Sequence, residues 1–122
     1  MNEIETVLAG LRAHRERWYA DVCDELIVCI EEAARRESPA LPFLLNAGHL
    51  LIGSRGATAL AFIEDPAPTR AYAKLHQLLM RSAEWQEDID ARGMAINLRK
   101  AASHVARAET LAPMPHTGDT RA

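Results

Sequence analysis

Residues 2–37 read NEIETVLAGLRAHRERWYADVCDELIVCIEEAARRE, thirty-six residues with no proline and a single glycine, Gly10. Ile4, Val7, Leu8, Leu11, Trp18, Val22, Leu26, Cys29 and Ala33 recur at steps of three or four, the period of one helix face, except for the longer step from Leu11 to Trp18. The stretch predicts one long N-terminal helix, or two helices in phase. His14-Arg15-Glu16-Arg17 fills the gap, and Arg15 falls on the apolar stripe. Either the helix breaks near residues 10–17, or Arg15 reaches outward along its own stem to water. Further on, Leu26-Ile27-Val28-Cys29-Ile30 is apolar on every side, and such a helix is enclosed by neighbours. Unbroken, at 1.5 Å per residue, the stretch spans about 54 Å, whereas a compact domain of 122 residues has a radius of gyration of about 14 Å. A rod of that length projects from its own domain and needs a partner, most simply the same helix of a second chain. A broken one lets the chain close as a bundle. The expected interface is Leu8, Leu11, Trp18, Val22, Leu26, Ile27, Val28 and Ile30.

Ser38-Pro39-Ala40-Leu41-Pro42 ends this stretch, because proline lacks a donor and pushes its predecessor out of the α region. Phe43, Leu44, Ala47, Leu50 and Leu51 fit a short helix closed by Gly53-Ser54-Arg55-Gly56, and Ala57–Glu64 fits a second. The alternative is a hairpin at 49–63 pairing His49–Ile52 with Thr58–Ile63, which the alanines of the second arm disfavour. After Asp65-Pro66-Ala67-Pro68, Thr69 is placed to cap a helix. Ala71, Tyr72, Leu75, Leu78, Leu79, Ser82, Trp85 and Ile89 make its apolar face, and Arg70, Lys74, Gln77, Arg81, Glu84 and Asp88 the opposite one. Gly93 marks a bend before a last helix with Met94, Leu98, Ala101, Val105 and Ala108 in one stripe. The expected fold is all-α, a single domain over 1–111 of four to five helices, with a flexible tail over 112–122. An α+β fold with the small hairpin is the alternative.

A hydrophobic fraction of 48% and a charged fraction of 25% are those of a chain that folds. A net charge of −3 argues against nucleic-acid binding, which rests on clustered Lys and Arg neutralising phosphates. The charge is uneven: residues 1–40 hold nine acids against five bases, residues 91–122 five bases against two acids. That contrast lets the first and last helices complement each other at the rim, or makes the last helix a basic docking face. Twelve arginines against two lysines, with abundant alanine, read as the codon bias of a GC-rich bacterial genome. There is no secretory pattern at the N-terminus and no apolar run long enough to span a bilayer, so the cytoplasm is the expected compartment. Cys23 and Cys29, six residues apart on a helix, do not face each other and read as small buried hydrophobes rather than ligands or a disulfide.

Four constellations bear on chemistry. Arg99 and His104, with four residues between them, resemble the motif of the HEPN ribonucleases, helical bundles that often dimerise. The resemblance covers these two positions and the helical class. It implies a metal-independent ribonuclease in which the arginine and histidine of two subunits face a shared cleft, the arginine steadying a phosphate and the histidine acting on a ribose hydroxyl. Arg70 and His76 form a second, looser match. The acids Glu31, Glu32, Glu84, Glu87, Asp88 and Asp90 are similar to the carboxylates with which all-α nucleotide pyrophosphohydrolases hold Mg²⁺. The chain departs from that pattern at Arg35, where a further acid is required, and a solvated acidic face accounts for these residues. His14, His49, His76, His104 and His116 include no pair spaced to share one helix face as metal ligands. A helix–turn–helix over 43–64 fails because Ala57–Glu64 offers no Arg, Lys, Asn or Gln to base edges. The expectation is a protein partner, first a second copy of the chain, with no cofactor, no metal and no membrane. Its role is that of a regulator, an inhibitor or immunity-type factor, or a chaperone-like adaptor; the HEPN-like ribonuclease is the alternative.

Overall fold

A computed structural model describes residues 2–16, 19–53, 68 and 70–111 of the chain. It divides the long N-terminal stretch into α1, Glu3–His14, and α2, Ala20–Arg35. Arg15 is the C-cap of α1, with its N–H on the Leu11 carbonyl at 2.9 Å. Four residues later Tyr19 takes φ 52° and ψ 48°, the left-handed region that residues with a Cβ avoid. A continuous helix would have carried Arg15 along the buried stripe. The break instead turns its guanidinium onto Asp24 of α2 in a two-point contact, one arm at 3.0 Å. Arg12 adds a second link to α2 through Glu31, also at 3.0 Å. The reading of one unbroken rod is thereby corrected, while Gly10 stays inside α1 and the turn falls after it. Helices of 12 and 16 residues span about 18 and 24 Å and fold back on each other within one bundle.

Three further helices follow: α3, Leu41–Ile52; α4, Ala73–Asp88; and α5, Arg92–Leu111. Among the described residues the chain is all-helical, without strands. The end of α2 is closed by Glu37 at φ 52°, with Glu37 N–H on Ala34 O at 3.2 Å and Ser38 N–H on Ala33 O at 2.9 Å. Both hydrogen bonds are those of a Schellman cap. The Ser38 side chain then accepts from Ala40 N at 3.1 Å, and Pro42 sits in the first turn of α3, where its missing donor costs nothing. Gly53, at φ 66°, closes α3.

The α5 helix packs antiparallel against both α3 and α4. Ala101, Ala102 and Ala108 on its inner side are essentially fully buried and allow close approach. The hairpin α1–α2 covers the far side of α3, and α2 reaches α4 through Glu25 and Lys74 at 3.4 Å. Leu11, Leu26, Ile30, Leu44, Leu75, Leu79, Leu98 and Val105 form the interior. At the crossing of α1 and α3, Gly48 lets Val7 so close that a Cβ there would lie 2.5 Å from its Cγ1.

Three boundaries differ from expectation. The hairpin at 49–63 is excluded in its first arm, since His49–Ile52 is the last turn of α3; Thr58–Ile63, the helix expected at 57–64 and the tail at 112–122 lie outside the described residues. The α4 helix starts at Ala73 behind a left-handed Tyr72, so Thr69, itself outside the described residues, is not its N-cap. The bend expected at Gly93 occurs at Ile89–Ala91, where Asp90 at φ 64° makes a second Schellman cap, and Gly93 lies inside α5.

Candidate interaction surface

On α5 the two residues of the ribonuclease-like pair point to different neighbours. Arg99 is held by Glu87 of α4, Nη2 to Oε1 at 2.6 Å and Nε to Oε2 at 3.2 Å. His104, 1% exposed, lies against Phe43 of α3 with ring centroids 6.2 Å apart, and neither ring nitrogen has a hydrogen-bond partner. Burial lowers its pKa, and the nearby charge of Arg107 lowers it further. Five residues on a helix turn through about 500°, so the two side chains diverge by about 140°. Within one chain the two groups therefore face apart.

Four of the six acids are held by arginines, and Glu84 and Asp88 make no ion pair among the described residues. Glu31 pairs with Arg12, Glu32 with Arg35 and Arg36, Glu87 with Arg99, and Asp90 with Arg92. Among the described residues no group of three or more His, Cys, Asp or Glu is placed to hold a metal ion. His49 is buried and joins α3 to the start of α1 through Glu3 at 2.9 Å. His76 is half-buried, and that burial lowers its pKa. Neither Cys23 nor Cys29 is in a disulfide. Burial first, then Asp24, pushes Cys23 up to about 11; burial first, then Glu25 and Glu32, pushes Cys29 up to about 12. Neither is a thiolate nucleophile at neutral pH.

A cavity of about 180 Å³ opens at the α1–α2 corner, walled by Leu50, Leu51, Ile52, Met94 and Leu98 with His14 and Tyr19 at its edge. Small-molecule sites run to about 300–1,000 Å³, so it is undersized for a cofactor. A broader depression of about 740 Å³ along Lys74, His76, Gln77, Met80, Arg81 and Glu84 is an open trough on α4 with a mixed lining.

Of the residues expected at an interface, Leu8, Leu11, Val22, Leu26 and Ile30 are in the chain's own core, and Ile27 is half-buried against it. Residues with so little surface in one chain have none to present to another. Val28 alone of the set is exposed, and Trp18 lies outside the described residues. The apolar surface that remains is elsewhere. Trp85 is 52% exposed and Ile89 54%, and Met94 and Ile96 are exposed across the α4–α5 turn. The cause is a mismatch in helix position. Tyr19, Ala20 and Val22 lie level with Leu78, Arg81 and Ser82, so α2 begins beside the middle of α4. The distal part of α4 carries its apolar stripe past the helix that covers the proximal part. Sequence periodicity groups Trp85 and Ile89 with the buried stripe, but the enclosed positions of α4 are Leu75, Leu79, Ala83 and Gln86, and the sequence holds no information on where the covering helix starts.

No family model, curated protein or solved structure matches the chain.

Proposed function

We propose that this chain is a small cytoplasmic helical interaction module, a homodimer that acts by binding another protein as a regulator, inhibitor or adaptor. The observation that carries the reading is the uncovered pair Trp85, on α4, and Ile89, its C-cap, one turn apart. A half-exposed tryptophan beside an isoleucine has the make-up of an interface anchor, tryptophan being enriched among the residues that carry most binding energy. Two cysteines outside any disulfide suit a reducing compartment. The pairing of Arg99 with Glu87 and the enclosure of His104 give the ribonuclease reading no support. Sedimentation velocity from low to high micromolar protein tests the proposal. A concentration-dependent dimer that Trp85→Ser abolishes is the expected result; a strict monomer at high micromolar concentration removes the homodimer.

A further inference from the structure

We infer that the second copy docks antiparallel along the distal half of α4, about a two-fold axis beside Trp85, so that Arg81 of each chain meets the partner's Asp88. The inference rests on the homodimer reading above and specifies its geometry. Arg81 and Asp88 are seven residues apart on α4, about 20° short of two full turns, so they border the same edge of the face that carries Trp85 and Ile89. Both are exposed, and neither makes an ion pair among the described residues, whereas Arg12, Arg15, Arg35, Arg36, Arg92 and Arg99 all do. This edge therefore carries one free positive and one free negative charge, placed on either side of the tryptophan.

That order selects an orientation. A two-fold axis perpendicular to the helices brings each position before the centre against one after it, so Arg81 faces the partner's Asp88 twice over, and the two Trp85 rings meet at the axis. A parallel two-fold pairing instead sets this edge against the partner's opposite edge, on the side of Ser82 and Gln86, where neither Arg81 nor Asp88 meets a charge. The apolar part of the face is two side chains per copy, far below the roughly 800 Å² per partner of a standard stable interface. The dimer is accordingly weak, and its charge contacts at the rim are screened by salt.

Charge exchange tests the geometry. Arg81→Asp and Asp88→Arg, each alone, put like charges together at both ends of the interface and weaken dimerisation by on the order of tenfold. The double variant restores the opposite order and with it the wild-type association. Circular dichroism melts of all three check that these exposed substitutions leave the fold intact. A wild-type dimer indifferent to both single reversals, or weakened by them and not recovered by the pair, overturns the antiparallel geometry while the homodimer stands. A wild type that is monomeric throughout overturns both, and binding of a different protein through Trp85 without self-association does the same.

Discussion

Gly48 and Gly10 show how differently two glycines of one helix pair contribute. A Cβ at Gly48 would sit 2.5 Å from Val7 Cγ1, on a β-branched side chain with little freedom to turn, whereas one at Gly10 would meet only the flexible end of Ile52, Cδ1, at 2.7 Å. Gly48→Ala should cost about 1–3 kcal/mol by overpacking. Gly10→Ala should be near neutral, the small shift of Ile52 offset by a gain in helix propensity of about 0.5–1 kcal/mol. Thermal melts of the two variants measure the contrast. His104 is the other residue whose surroundings make a definite statement. Its ring is buried without a hydrogen bond, and its pKa is lowered, first by burial and then by Arg107. The unfolded ring therefore takes up a proton at a pH where the folded one does not. Stability from this group is complete above the unfolded value of about 6.5 and falls as pH drops below it toward the lowered folded value. His76, lowered by its own burial, acts with the same sign. His104→Leu removes an unsatisfied polar group at similar volume. It should raise stability at pH 7 by about 1 kcal/mol and flatten, without abolishing, the decline between pH 6.5 and 5 in denaturant titrations.

At the scale of the helix, the phase of each apolar stripe is legible in the sequence and the places where helices stop are less so. Ile4 to Ala33 keep one phase because α1 and α2 bury the same side, and Arg15 on that stripe is the mark of the break. The break itself is made by Tyr19 in the left-handed region, a conformation the sequence usually signals with glycine or asparagine. Asp90 and Glu37 are left-handed as well, which is why Gly93 looks like the punctuation of the α4–α5 turn and is not. At both helix ends the Schellman hydrogen bonds hold a side-chain-bearing residue where glycine is preferred. Glu37→Gly and Asp90→Gly should each stabilise the chain by about 0.5–1 kcal/mol, since relief of left-handed strain outweighs glycine's greater entropy when unfolded. Glu84→Gly, in the middle of α4 and equally exposed, should destabilise by about 1 kcal/mol. Chemical denaturation of the three variants side by side checks the assignment of the caps, because only the position in the helix differs.

For the whole molecule, the question is which apolar residues hold the chain together and which are left for a partner. The Leu26–Ile30 segment reads in sequence as the centre of the core or as the place where two chains meet, and nothing in a linear pattern says that α1, α3 and α4 of the same chain surround α2. Leu26 and Ile30 are fully enclosed, whereas Trp85 and Ile89 read as core and lie half in water. The distinction has a thermodynamic signature, since binding between folded copies stabilises them by mass action and makes the melting temperature depend on protein concentration, while internal packing does not. Leu26→Ala should lose about 2–5 kcal/mol at every concentration by opening a cavity in the core. Trp85→Ser should melt with the wild type at low micromolar concentration, where the residue is already exposed, and fail to rise with it as concentration increases. Calorimetric scans over a concentration series measure both variants against the wild type. A wild-type melting temperature that does not move with concentration removes self-association through α4, and a Trp85→Ser variant as unstable as Leu26→Ala would show that the tryptophan belongs to the fold instead of to an interface.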